Sequence, residues 1–286
     1  MCSSDLRSLR SRRLTPTTLH RMSDESVLYS MPAPGVALLT LNRPDRMNAW
    51  NASLASAYFT LLEQCAADPE VRAIVVTGAG RGFCAGADMD ALQEIGSNPG
   101  GGAEGAAGGK PQYITTQVPK PVIAAVNGAC AGIGMVQALM CDVRFAAAGA
   151  KFTTAFSRRG LIAEYGSSWV LPRLVGTARA LDVLMSGRVF LAEEAAEMGM
   201  VNKVLPADEL VPYAIAYAAD LAANCSPTSM AVMKQQVYAD QERGLVAASD
   251  DAVGLMKASL KRADFKEGVA SFLEKRLPHF LPVQTS

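Results

Sequence analysis

Four short apolar runs, rich in β-branched residues and each closed by a turn signal, set the frame for this chain. They are "GVALLTLN" (residues 35–42), "RAIVVTG" (72–78), "KPVIAAVNG" (120–128) and "CDVRFAA" (141–147). Runs of this length and ending read as buried strands. A helical pattern over Ala52–Ala67, closed by an Asp-Pro turn, separates the first two. Strand alternating with helix predicts an α/β core with right-handed crossovers. From Pro206 the pattern turns helical, with segments at 210–223, 227–239 and 246–260 and a last one in "DFKEGVASFLEKRLPHF". The expected organisation is one core over residues 23–205 and a helical C-terminal region over 206–286, with no solenoid repeat.

Half of the residues are hydrophobic and 19% are charged, against about 25% in typical domains, so much of the surface should be buried, in part between subunits. Lys plus Arg equals Asp plus Glu, at 27 each. No basic field favours nucleic acid, and a small-molecule ligand is expected. The six cysteines show neither a CxxC pair nor a disulfide framework and read as reduced thiols of a cytoplasmic protein. No apolar run approaches the roughly 20 residues that span a bilayer, so no membrane association is expected.

Residues 1–22 carry five arginines and one acid, Asp5. The composition suits a transit peptide, but the favoured reading is a disordered extension ahead of an internal start at Met22. "GSNPGGGAEGAAGGKP" (96–111) is the low-complexity segment, and its glycines predict a mobile loop placed to serve as a lid.

Two glycine-rich turns follow strands. "GAGRGFCAGAD" (78–88) resembles a dinucleotide fingerprint, but Phe83 stands where the third glycine is needed, which argues against a Rossmann site. "NGACAGIG" (127–134) runs into a helix beginning near Ile133, whose first N–H groups have no internal acceptor. A helix start of this kind supplies donors and a favourable dipole to an oxygen. If Ala85-Gly86-Ala87 lies opposite, two backbone N–H groups can hold one oxyanion. On spacing alone, a pair of tight strand-to-helix turns without function remains equally open.

Several motifs in order then carry a resemblance. "LNRPDRMNA" (41–49), "GFCAGADM" (82–89), "NGACAGIGM" with the following "CDVRFA", "LPRLVG" (171–176) and "FLEKR" (272–276) resemble the crotonase, or enoyl-CoA hydratase/isomerase, superfamily over residues 25–280. The resemblance implies a spiral of ββα units, a helical C-terminal trimerisation region, an acyl-CoA thioester substrate and a homotrimer or homohexamer. It implies the N–H groups of Ala87 and Ile133 as oxyanion donors. Family members often have glycine where Ile133 stands, a change that leaves a backbone donor intact. Arg46, Met47 and the stretch Ala85, Asp88, Met89 and Asp90 match positions near CoA. Phe272 and Lys275 match a last-helix motif that reaches CoA, sometimes in a neighbouring subunit; for Lys275 an ordinary exposed helix charge is the other reading.

The acids decide the reaction. Hydratases of the superfamily use two glutamates, and aligning on the motifs places Val136 and Phe156 at those positions. Neither can transfer a proton. Glu164, eight residues after Phe156, falls where other subfamilies place an acid, and "TTAFSRRGLIAEYGSS" (153–168) is similar to peroxisomal-type Δ3,Δ2-enoyl-CoA isomerases, which carry a lone glutamate there. Ring-opened phenylacetyl-CoA isomerases and chlorobenzoyl-CoA dehalogenases have an aspartate at this place. A 1,3 proton shift needs only one base and an oxyanion hole. Phe156, Leu161, Ile162 and Tyr165 would raise the pKa of Glu164 if they bury it, and Tyr165 either orients the acyl chain or only packs. The competing reading makes Glu164 a loop residue before a helix capped by Ser167 or Ser168. Asp142 reads as structural.

The two histidines, His20 and His279, lie near the termini and no G-x-S-x-G elbow exists, so a Ser/His/Asp hydrolase is not expected. No metal cluster and no cofactor beyond the CoA of the substrate is expected. The predicted function is isomerisation of a 3-enoyl-CoA to a 2-enoyl-CoA. The alternatives are another activity of the family, such as hydration or cyclic acyl-CoA isomerisation, and a non-catalytic acyl-CoA binding protein.

Overall fold

A computed structural model describes residues 26–90, 93 and 110–283. The expected N-terminal extension lies outside the described residues, as does the glycine-rich loop except for Lys110 and Pro111. Strands β1 (Val27–Ala33) and β2 (Val36–Leu41) form an antiparallel hairpin, and helix α1 (Ala52–Ala67) leads to β3 (Ala73–Gly78) and β4 (Gly82–Cys84). A short helix α2 (Ile114–Gln117) precedes β5 (Val122–Val126), β6 (Ala129–Ala131) and α3 (Ile133–Met140). After β7 (Val143–Ala147) and β8 (Lys151–Thr153) come α4 (Ser167–Val175), α5 (Thr177–Ser186), β9 (Phe190–Leu191), α6 (Ala192–Glu197) and β10 (Lys203–Leu205). The chain ends in α7 (Ala207–Asn224), α8 (Pro227–Asp240), α9 (Leu245–Ser259) and α10 (Ala263–Glu274).

Successive strand pairs divide between two sheets. β3, β5 and β7 join a six-stranded sheet of order β1-β2-β3-β5-β7-β10, while β4, β6 and β8 join a second of order β4-β6-β8-β9. Each turn of the chain therefore adds one strand to each sheet, and all neighbours are parallel except β1–β2 and β8–β9. Every residue of β3 and β5 is buried, the continuous apolar text expected of strands covered on both faces. The covering helix α7 buries Leu210, Ala214, Ala218 and Ala222, a stripe at four-residue spacing whose small side chains let it lie close on the sheet.

Helix α1 has the bounds its pattern predicts. Asn51 Oδ1 accepts the Leu54 N–H at 2.9 Å as the N-cap, and Pro69, just beyond the end, cannot continue the helix. Strand β1 was not expected from the text, because Pro32 and Pro34 break its pattern. Proline is tolerated there because β1 is an edge strand, and Gly35 at φ 75° turns the chain into β2. Among the described residues no helix is long and apolar enough to cross a membrane.

Candidate active site

Parallel pairing of β4 and β6 sets Cys84 opposite Cys130, so the turns that follow leave the small sheet side by side. One holds Ala85, Gly86 and Ala87; the other holds Gly132 and, as the first residue of α3, Ile133. Gly132 sits at φ 50°, ψ −124°, a conformation open to glycine and hostile to a Cβ. Gly134 lies against β4 so closely that a Cβ there would come within 2.3 Å of the Cys84 carbonyl oxygen. This contact draws the start of α3 onto the strand that carries Ala87. Asp88 N–H donates to the Trp50 carbonyl at 2.9 Å and Val136 N–H to Gly132 at 3.0 Å, whereas the N–H groups of Ala87 and Ile133 have no backbone acceptor among the described residues. Two free donors thus stand on adjacent turns, one at a helix N-terminus.

A cleft of about 440 Å³ opens over these donors. Arg46, Met47, Ala49 and Trp50 line it together with the stretch Ala85 to Met89. The second lining set comes from one loop after β8, with Thr154, Ala155, Phe156, Arg159, Leu161, Glu164 and Tyr165. That loop turns sharply, since Ala155 and Tyr165 take φ of 57° and 52° without being glycine, a conformation costing on the order of 1 kcal/mol each.

Glu164 stands just before α4, and its carbonyl accepts the Ser167 N–H at 3.0 Å. The serine cap of the competing reading is not formed: Gly166, at φ 80°, is the N-cap, with no side-chain cap bond. Glycine takes this role because the backbone there is left-handed. The Glu164 carboxyl makes no ion pair or hydrogen bond among the described residues, and burial pushes its pKa above the ordinary carboxylate value. The Tyr165 hydroxyl is raised too, first by burial and then by the charge of Glu164.

The other acid on the cleft wall is already engaged. Asp88 accepts from Arg43 Nη2 at 2.8 Å and from the Asp90 N–H at 3.2 Å, and the Arg43 hydrogen bond holds its carboxyl below the usual range. Asp88 therefore braces Ala87, its neighbour in sequence, and is not a free acid. Asp90 does not line the cleft; it faces exposed Arg46 at 3.7 Å. Val136 is fully buried in α3 and away from the cleft, while Phe156 is buried and forms part of its wall. Among the described residues no cluster of metal-ligating side chains occurs.

With this geometry in hand, comparison with known proteins is decisive. The family described as Enoyl-CoA hydratase/isomerase matches residues 32–282. The chain belongs to the enoyl-CoA hydratase/isomerase family. Among its relatives is a 1,2-epoxyphenylacetyl-CoA isomerase from Escherichia coli, 38% identical over 86% of this chain and 95% of the relative. A crystal structure of an enoyl-CoA hydratase from Mycobacterium marinum is 52% identical, with a TM-score of 0.66 over 77% of this chain and all of that one. A probable enoyl-CoA hydratase/isomerase from Mycobacterium abscessus gives a TM-score of 0.83 at 31% identity, covering 90% and 98% of the two chains. The fold is the crotonase fold.

Two residues that the family resemblance pointed to lie elsewhere in this chain. Phe272 is 82% exposed on α10 and lines a separate groove with Met230 and Phe265. Lys275 ends α10 in a left-handed conformation, exposed to solvent. Neither lines the cleft of its own protomer.

Sequence reasoning missed the residues that hold the two turns in place. Asn48 is fully buried; its Nδ2 donates to the carbonyls of Ala79 (2.9 Å) and Gly82 (2.7 Å), and its Oδ1 accepts the Arg43 N–H at 2.8 Å. Asn127 Oδ1 accepts the Gly78 N–H at 3.1 Å while its Nδ2 donates to Gly80 at 3.0 Å. Asn127, which precedes Gly128, reads only as turn chemistry, and Asn48, between Met47 and Ala49, carries no such signal.

Proposed function

We propose that the protein isomerises 3-enoyl-CoA thioesters to 2-enoyl-CoA thioesters, with Glu164 as the one base and no cofactor beyond the CoA of the substrate. The observation that carries this reading is that Glu164 is the unengaged carboxylate on a cleft that also presents the free N–H groups of Ala87 and Ile133. The thioester oxygen sits between those donors. Glu164 removes a proton from carbon 2, the electron pair of that C–H bond moves into the thioester, and the dienolate is held by the two N–H groups. The protonated carboxyl then delivers its proton to carbon 4, and the double bond moves from 3,4 to 2,3. Ile162, expected to help cover Glu164, is 79% exposed and off the cleft, but the partial burial of Glu164 still favours its neutral form, which this second step needs.

Hydration is less well supported, because Val136 and Phe156 occupy the positions of the two hydratase glutamates. The relationship to a 1,2-epoxyphenylacetyl-CoA isomerase favours a second reading, rearrangement of a cyclic acyl-CoA, in which the same base and oxyanion donors act on a ring. The test is incubation of the purified protein with a trans-3-enoyl-CoA and, separately, a trans-2-enoyl-CoA, followed by chromatography and mass measurement. Conversion of the first without a water adduct is expected. Rapid hydration of the second would overturn the assignment.

A further inference from the structure

The cleft wall that carries Glu164 also carries a cation with no charge partner among the described residues. Two arginines stand in sequence at the turn after Phe156, and the structure separates their roles. Arg158 is built into the protein: its Nε donates to the Ser186 carbonyl at 2.9 Å, and its stem packs beside Gly187. Arg159 lines the cleft, and its guanidinium has one long contact, 3.5 Å to the Ala155 carbonyl, and no ion pair among the described residues. It makes no ion pair or hydrogen bond with Glu164, although both line the cleft. The other arginine on the wall, Arg46, comes from the loop before α1 and faces Asp90. Exposed on a cleft wall that Phe156, Leu161 and Tyr165 also line, the Arg159 guanidinium presents a planar fork of donors that matches a carboxylate.

Building on the proposed function, we infer that Arg159 selects acyl groups bearing an anionic substituent remote from the thioester, so that the preferred substrates are CoA thioesters of dicarboxylic acids. Arg159 shares its loop with the base, which assigns it to the acyl part of the ligand. Its contact stays at the solvent edge of the cleft, where an ion pair adds selectivity more than affinity.

Equilibrium binding of saturated thioesters tests this without requiring turnover, so a failure of the isomerase assignment leaves the result readable. Succinyl-, glutaryl- and adipoyl-CoA are compared with butyryl-, valeryl- and hexanoyl-CoA on the wild-type protein, Arg159→Met and Arg159→Lys. The wild type is expected to bind at least one diacid thioester about fivefold more tightly than its neutral partner, the upper end for a solvent-exposed pair. Arg159→Met removes that preference and leaves the neutral thioester unchanged, while Arg159→Lys keeps part of it. Absence of any diacid preference in the wild type would overturn the proposal. So would an equal loss for both series in Arg159→Met, which would place the arginine on the CoA phosphates.

Discussion

Glu164 is one carboxyl whose environment sets its chemistry. Burial raises its pKa, so the base form is lost at a higher pH than for a free glutamate. The acid limb of the kcat/KM profile should therefore fall above about 4.3, the ordinary glutamate value, and a limb at or below it would contradict the burial argument. The linked effect on stability has a definite sign. A carboxyl raised in the folded state adds nothing below its unfolded pKa, and its cost grows as pH rises from the unfolded value to the folded one and is complete above it. Glu164→Gln should thus melt at least as high as the wild type at neutral pH, and lower melting would show that the carboxylate is stabilised by a partner. Gly134 gives a second prediction at this scale. With a Cβ only 2.3 Å from the Cys84 carbonyl, Gly134→Ala must push α3 off β4, costing about 1–3 kcal/mol of stability and separating the oxyanion donors. A large fall in kcat with a lower Tm is expected; full activity would mean that the two turns need not be so close. Ala87, Ile133 and Glu164 were legible because each sits at a motif position in the text. The bracing roles of Asn48, Asn127 and Arg43 were not, since they exist only once β2, β3 and β5 lie side by side and bring their following loops together.

At the scale of elements, legibility followed length. Helix α1, with sixteen residues and a cap at each end, shows its pattern in the sequence, and the five- and six-residue strands β2, β3, β5 and β7 show as apolar runs closed by turns. Strands β4, β6 and β8 have three residues each, too few for any period, and only the spiral pairing makes them a sheet. Beyond α7, the C-terminal helices attach to this core through few buried groups. On α8, Lys234 Nζ donates to Asp142 Oδ2 at 2.7 Å and to the carbonyls of Thr115 and Lys120 at 3.1 and 3.2 Å. Asp142 Oδ2 also accepts the Val122 N–H at 2.8 Å, which makes this acid the structural residue it resembled in the text. Burial keeps the Asp142 pKa raised in spite of Lys234. Removing the cation in Lys234→Ala leaves a desolvated carboxylate and should cost about 3 kcal/mol at pH 7. Because protonation relieves that cost, the deficit should shrink as pH falls through the raised Asp142 pKa. Denaturant titrations of both proteins across pH check this, and a deficit that grew at low pH would contradict it.

The whole molecule presents apolar side chains that its own core does not cover. Helix α9 buries no residue, Val253 and Met256 are 42% and 52% exposed along it and Leu260 47% at its end, and Met233 and Val237 are each 61% exposed on α8. Covering such a face is the usual reason for subunit association, and the low charged fraction of the sequence points the same way. Light scattering is expected to give three or six times the 30.1 kDa chain mass, whereas a stable monomer would leave this face unexplained. A role for Phe272 and Lys275 at CoA would require a neighbouring copy of the chain, because neither lines the cleft. The central claim, that one carboxylate moves the proton, is tested most directly by comparing Glu164→Gln with the wild type on a trans-3-enoyl-CoA while measuring the affinity for a saturated acyl-CoA. The account predicts a fall in kcat of about a hundredfold or more, the scale of general-base catalysis, with affinity nearly unchanged. Turnover close to that of the wild type would contradict it.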